Sequence, residues 1–309
     1  MAAETTYMGI GIDLGGTRIK SARFDMETGQ LLATAMMPTR DGETEGDLPA
    51  FAVGVKQLIA RHEEESGRKA DVVGVSAPGL AAKQGTCIRF MPGKLHGLEG
   101  LMWSDFLQRP AGCLNDAHAA LMGEIWQGAA KAKQDVVMMT LGTGVGGAVV
   151  SGGQLIQGHI GRAGHIGHVS CDMDGPQDIC GMPGSIEYHI GNGYLEQRSG
   201  GHYQMTRDLL SAAKVGDVEA KKVWARSTKA LGVTVAGLIN LFDPEVVLLG
   251  GGVANAWEEI HPALNGWLDK CEWRPGGHRV PVVQAKLGEW AGCYGAVHFA
   301  RSLVNSSSK

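Results

Sequence analysis

Residues 7–39, YMGIGIDLGGTRIKSARFDMETGQLLATAMMPT, read as a strand, a glycine turn, a second strand, a turn at Glu27–Gly29 and a third strand. Residues 135–156, DVVMMTLGTGVGGAVVSGGQLI, repeat that plan. The two stretches share few residues position by position, but each sets glycines and a threonine at its first hairpin. A recurrence on this scale predicts a duplicated βββαβ unit, and therefore an α/β fold with two related halves.

The stretches between follow the same plan. Leu48, Phe51, Val55, Leu58 and Ile59 recur at helical spacing, and Gly67 ends that segment. ADVVGVSAPGL (70–80) is a buried strand running into a Pro-Gly turn. NDAHAALMGEIWQGAA (115–130) is a helix opened by Asn115 or Asp116. An irregular Gly/Pro-rich stretch (158–202) precedes mostly helical sequence from about 204 to 242. EVVLLGGGVA (245–254) is a strand into a glycine turn, and residues 287–304 form a closing helix. The expected halves are 1–125, completed by the C-terminal helix 292–309, and 126–291, with no linker marking the boundary.

Composition narrows the function. Apolar residues make up 44% and charged residues 19% of the 309, enough for a large core and unlike a disordered chain. A net charge of -4, a pI near 6.3 and the lack of a Lys/Arg run argue against a nucleic-acid partner. No stretch approaches the ~18 apolar residues of a membrane span, and no signal peptide is apparent. The six cysteines lack CxxC pairs or scaffold density, so reduced thiols in a cytoplasmic protein are expected. Glycine is the outlier: 47 residues, about twice the usual ~7%, much of it clustered beside apolar runs.

Those clusters suit phosphate. In DLGGT (13–17) an aspartate ends an apolar strand, and Gly15, Gly16 and Thr17 open the backbone N–H groups to an anion. Asp13 is then placed to meet a phosphate-bound Mg²⁺ through water. Gly142, Thr143 and Gly144 repeat the device, and Gly250, Gly251 and Gly252 form a third strand-to-glycine turn able to admit a flat adenine. One such loop also suits an ordinary hairpin; three together point to a nucleotide.

The chain resembles the ROK family of sugar kinases and repressors, within the hexokinase/actin/Hsp70 superfamily. The resemblance rests on GIDLGGTRIK, the Asn115–Asp116 pair, LGTGVGG with GHIGRAGHIGH after it, NLFDPEVVLLGGGV and LGEWAGCYGA, in matching order and spacing. It implies a two-lobed, actin-like (ribonuclease H-like) fold, with ATP in an interlobe cleft and a sugar at its floor. It implies Asp116 as the base that accepts the hydroxyl proton, with O6 as the hydroxyl phosphorylated. It also implies Lys20 at the nucleotide, and Pro78, Gly79, Asn115, His168 and Glu187 at the sugar. ATP and Mg²⁺ are the expected cofactors and a homodimer the expected state. The repressors carry a DNA-binding winged helix ahead of the sugar core, which is not expected here.

Residues 164–187, GHIGHVSCDMDGPQDICGMPGSIE, depart from the family. Its ExGH pattern reads His165-Ile-Gly-His168, so His165 stands where a sugar-binding glutamate is usual. Its CxCGxxGCxE pattern, whose cysteines join the histidine on a structural zinc, reads Asp178-Ile-Cys180-Gly-Met-Pro-Gly-Ser185-Ile-Glu187. Exchanging two thiolates for Asp and Ser removes the soft tetrahedral donor set, so no structural zinc is expected and no metal ligands are assigned. An improvised set of His168, Cys171, Asp178 and Cys180 is the competing possibility. MPGKLHG (91–97) sets Lys94 where relatives often carry an Asn-Leu pair, placing a cation that could meet an acidic sugar. These departures also leave open a sugar- and nucleotide-binding protein with impaired catalysis, and the sugar itself is not legible.

Overall fold

The computed structural model describes residues 7–307, and its contacts divide the chain into two compact units. One holds the chain through Ala132, with Gln157–Ala163 and everything from Leu287 onward; the other holds Lys133–Ile156 and Gly164–Lys286. The division falls after Ala132 rather than near 125, because the helix Asp116–Gln127 continues past that point as one element.

The first unit is built on a five-stranded sheet. Its strands are β1 (Met8–Leu14), β2 (Arg18–Asp25), β3 (Leu31–Pro38), β4 (Val72–Ala77) and β5 (Ala111–Asn115), in the order β3-β2-β1-β4-β5. β1, β2 and β3 pair antiparallel, while β1–β4 and β4–β5 pair parallel. Parallel strands buried on both faces read as continuous apolar runs, as VVGVSA does here. On one face Ile10, Ile12 and Leu14 pack with Phe51, Val55 and Leu58 of α1 (Ala50–Ser66). α1 ends at Gly67, whose φ of 69° forms the left-handed cap that an L side chain resists. On the other face Ala22, Phe24 and Val72 pack with Cys293, Val297 and Ala300 of the C-terminal helix, Ala291–Ser307.

That helix also grips α2 (Asp116–Gln127). A Cβ on Gly295 would strike the Ala119 carbonyl, and one on Gly123 would strike the Ala291 carbonyl. The two backbones therefore touch, and this close approach fixes the start of α2, where Asp116 sits.

The second unit repeats the sheet with different residues. β6 (Val136–Leu141), β7 (Val145–Ser151), β8 (Gln154–Leu155), β9 (Val246–Gly250) and β10 (Val282–Gln284) run in the order β8-β7-β6-β9-β10. The first three again pair antiparallel and the rest parallel, so strand order and sense match the first unit. Its core joins Val137, Met139 and Leu141 to Leu231, Val235 and Leu238 of α4 (Val218–Phe242) and Ile260, Leu264 and Leu268 of α5 (Trp257–Cys271). Between β8 and α4 lies α3 (Ile186–Ile190), which carries Glu187. Among the described residues no helix is long and apolar enough to cross a membrane.

Candidate active site

In the first unit the candidate residues gather at the carboxyl ends of β1, β4 and β5, where open α/β sheets hold their ligands. Asp13, near the end of β1, is paired in parallel register with Ser76 near the end of β4. That register lets Ser76 Oγ donate to Asp13 Oδ1 at 2.9 Å, while Lys20 Nζ stands 3.6 Å from Asp13 Oδ2. Lys20 is held from its other side, donating to the Glu289 carbonyl at 3.0 Å. Burial raises the Asp13 carboxyl pKa, against the pull of Lys20 and the Ser76 hydroxyl. Ser76 was not among the residues singled out in the sequence; its parallel register with Asp13 was the signal that could have found it.

The turn Gly15-Gly16-Thr17 is tied at its ends. Gly15 N donates to the Arg18 carbonyl at 3.0 Å, Thr39 N to the Thr17 carbonyl at 3.0 Å, and Thr39 Oγ1 to the Gly15 carbonyl at 2.6 Å. A Cβ on Gly16 would meet open space, and its φ is not positive, so nothing within the fold requires glycine there. A ligand approaching bare backbone would require it.

Asn115 and Asp116 divide the labour at the start of α2. Asn115 is the N-cap: its Oδ1 accepts from Ala117 N at 3.0 Å and His118 N at 3.3 Å, and its Nδ2 donates to the Gly79 carbonyl at 3.0 Å. Gly79 follows Pro78 in the turn after β4, and its φ of 101° sets that carbonyl's direction. Three of the four bonding directions of Asn115 thus go to backbone, and its amide also meets the Asp116 carboxyl. Asp116, the first helical residue, is solvent-accessible, and its Oδ1 accepts from Ala117 N at 2.8 Å. The surrounding protein and the charge of Asp13 raise its carboxyl pKa to about 6. Water on its open side screens part of that effect, so the upward direction carries the argument.

In the second unit, Gly142, Thr143 and Gly144 form the β6–β7 turn, closed by Gly142 N donating to the Gly144 carbonyl at 2.9 Å. The Gly142 and Thr143 carbonyls accept from Asn192 N and Gly193 N at 2.9 and 2.7 Å, leaving the turn rigid. Glu187, buried on α3, closes on the same turn: its Oε2 accepts from Val145 N at 2.8 Å. A Cβ on Gly144 would lie 2.7 Å from that oxygen, so Gly144 is glycine because Glu187 packs there. Gly250, Gly251 and Gly252 follow β9; Gly251 has a φ of 85° and lies against the Leu141 backbone, while a Cβ on Gly252 would meet nothing.

The loop 164–187 holds itself together. His165 precedes the short turn Ile166–His168, and its carbonyl accepts from His168 N at 3.3 Å. His168 Nδ1 is hydrogen-bonded to Asp178 Oδ2 at 2.8 Å, and its Nε2 lies 3.6 Å from Cys180 Sγ. Asp178 Oδ1 accepts from Cys180 N at 2.8 Å and Met182 N at 3.0 Å. Burial pushes the Asp178 carboxyl up, but the bonds from His168, Met182 N and Cys180 N outweigh it and hold it below the usual range. Ser185 caps α3, its Oγ accepting from Tyr188 N at 3.3 Å.

These atoms do not fit a Cys₃His zinc. His168, Asp178 and Cys180 offer ligand atoms within 4.8 Å of one another, but the Asp178 oxygens already serve the loop's own donors. The improvised set with Cys171 is not assembled either. Cys171 Sγ donates to the Gly184 carbonyl at 3.4 Å, because the chain bends there to pair Cys171 N with the same carbonyl.

The model of the ROK family matches residues 9–302. A glucokinase of Thermotoga maritima is 32% identical over 96% of this chain and 98% of its own length. An N-acetylmannosamine kinase of Yersinia pseudotuberculosis is 29% identical over 96% of this chain and 99% of its own. The crystal structure of a ROK family glucokinase from Streptomyces griseus, in complex with glucose and AMPPNP, superposes with a TM-score of 0.76. It is 28% identical and covers 96% of this chain and 99% of that one. The chain belongs to the ROK family, and its fold is the two-lobed, actin-like α/β fold of those kinases.

Proposed function

We propose that this ATP-dependent sugar kinase phosphorylates O6 of a hexose or hexose-like sugar, with Asp116 as the general base. The observation that carries the reading is the placement of Asp116: first residue of a capped helix, open to solvent on one side, where the surrounding protein and the half-buried Asp13 carboxylate raise its pKa. A base poised just below neutral pH is ionised when the enzyme works, yet basic enough to take a proton in the transition state. Asp13, anchored by Ser76, is suited to hold Mg²⁺ through water, and Gly16 and Thr17, in the turn that Gly15 N closes onto the Arg18 carbonyl, offer backbone N–H groups to phosphate. Mg²⁺, when bound, neutralises charge on the transferring phosphoryl group.

Asn115 stands at the sugar with its amide on the Asp116 carboxyl, so it orients the base, and Glu187 has Oε1 left once Val145 N occupies Oε2. His165 replaces an acceptor-only carboxylate with a group that both donates and accepts, so the reading disfavours glucose as the best substrate. Asp178 takes the place of zinc in orienting His168 through Nδ1. The relatives named above act on different hexoses, so the sugar is decided by assay. An ADP-release screen over hexoses, amino sugars and cyclitols, followed by NMR of the product, tests the proposal. An O6 phosphate on one of them is expected; a phosphate on another oxygen would overturn the regiochemistry.

A further inference from the structure

A cavity of about 170 Å³ opens in the second unit, lined by Tyr188, His189, Arg198, Lys222, Arg226 and Ser227. With Val223, also in the lining, four of the seven side chains are cationic or titrate to a cation. None of them belongs to the nucleotide turns or to the residues proposed for the sugar. The cavity lies below the ~300–1,000 Å³ of a drug-sized ligand and suits a small anionic group.

The polar atoms around it are incompletely matched. His189 is 2% exposed, and its buried Nε2 has no hydrogen-bond partner; the nearest carboxylate oxygen, Asp172 Oδ2, is 3.8 Å away. Arg198 uses only Nη1, donating to the Tyr188 carbonyl at 3.1 Å and the Gly191 carbonyl at 2.5 Å, and its buried Nε is unpartnered. Burial lowers the Arg198 pKa to about 10, which leaves it charged at neutral pH. Buried polar groups without partners are uncommon in folded proteins, and two around one cavity mark a place for an acceptor. Asp172 is the opposing charge, and Arg226 Nη2 already answers it at 2.7 Å. Lys222 pairs with the exposed Glu219 at 2.8 Å, a contact that water weakens.

We infer that this cavity binds a phosphoryl group, either as orthophosphate or as the monoester of a small metabolite. Two guanidinium groups and an ammonium supply the charge-assisted donors that phosphate oxygens accept, and His189 supplies a ring N–H. Tyr188 and His189 directly follow Glu187 on α3, whose carboxylate holds Val145 N, so an occupant would brace the helix that carries Glu187.

Arg198 caps carbonyls, so removing it risks the fold; Lys222 and Arg226 lie on α4 with side chains 66% and 65% exposed, and suit the test. Orthophosphate and glucose 6-phosphate are titrated separately into the full chain by calorimetry, alongside the Lys222→Ala/Arg226→Ala variant, with ADP as a control. At least one phosphate probe is expected to bind the wild type and to weaken about tenfold or more in the variant, with ADP affinity unchanged. Binding of orthophosphate alone identifies the free ion as the ligand, and binding of the ester alone identifies the monoester. Failure of both probes to bind, or equal affinity in wild type and variant, would overturn the inference.

Discussion

The two units share a strand order, yet the residues at their glycine turns are held by different means. In the first unit, Asp13 and Asn115 are fixed by the sheet itself: Ser76 lies in register with Asp13, and the turn after β4 presents the Gly79 carbonyl to Asn115. In the second unit, His168 and Asp178 are fixed by a loop that bonds mainly to itself. A site braced by strand register has little freedom to change, because each partner also holds the core. A self-bonded loop can exchange a whole ligand set if new donors and acceptors balance. Asp178, which gathers His168, Cys180 N and Met182 N, and Ser185, which caps α3, strike that balance.

This contrast is sharpened most strongly by Asp116→Asn. A positioned base contributes typically ~10²–10⁴-fold, so kcat should fall by that factor while ATP affinity, measured by calorimetry, stays within a few-fold. Retention of a tenth of wild-type kcat would remove Asp116 from the chemistry.

His165→Glu probes the rewritten loop. Restoring a carboxylate that accepts hydroxyl protons should raise kcat/KM for glucose by roughly 10- to 150-fold, the value of a charge-assisted hydrogen bond. An unchanged ratio of glucose to native-substrate kcat/KM, together with an inert His165→Ala, would show that His165 does not meet the sugar.

Asp178→Asn keeps an oxygen for the Cys180 and Met182 amides but removes the charge facing His168. A loss of about 1.5–3 kcal/mol is expected in urea unfolding at pH 7. Because the folded carboxyl pKa is depressed, this contribution is present above the unfolded pKa and fades as pH falls through the folded one. Wild type and variant should therefore converge in acid. The smallest effect is expected from chelation: elemental analysis should find far less than stoichiometric zinc, and EDTA should leave the unfolding midpoint unmoved.

The fold was legible because its signals are local. Apolar runs ending in glycine turns marked both sheets, Gly67 marked the end of α1, and the Asn115–Asp116 pair marked the start of α2, with the structure choosing Asn115 as the cap. What escaped the sequence depends on distant partners. Nothing in residues 115–116 shows that Gly79 occupies the Asn115 amide, or in Gly144 that Glu187 packs against it. The exchange of thiolates at 178 and 185 read as a loop held by hydrogen bonds and packing, or as a zinc site rebuilt through Cys171; that Asp178 would gather His168, Cys180 N and Met182 N and Ser185 cap a helix required coordinates. Nothing in the sequence joins the cations at 198, 222 and 226, which the fold sets around one cavity.

The pH dependence of kcat/KM for the best sugar tests the central claim most directly, namely that a raised Asp116 beside Asp13 is the base. The ionised form is required, so activity is full above its pKa and lost below it. An acid limb near pH 6, belonging to the Asp13–Asp116 pair and falling about tenfold per pH unit, is the expected result. A profile that stays flat down to the ~3.9 of an ordinary aspartate would contradict it.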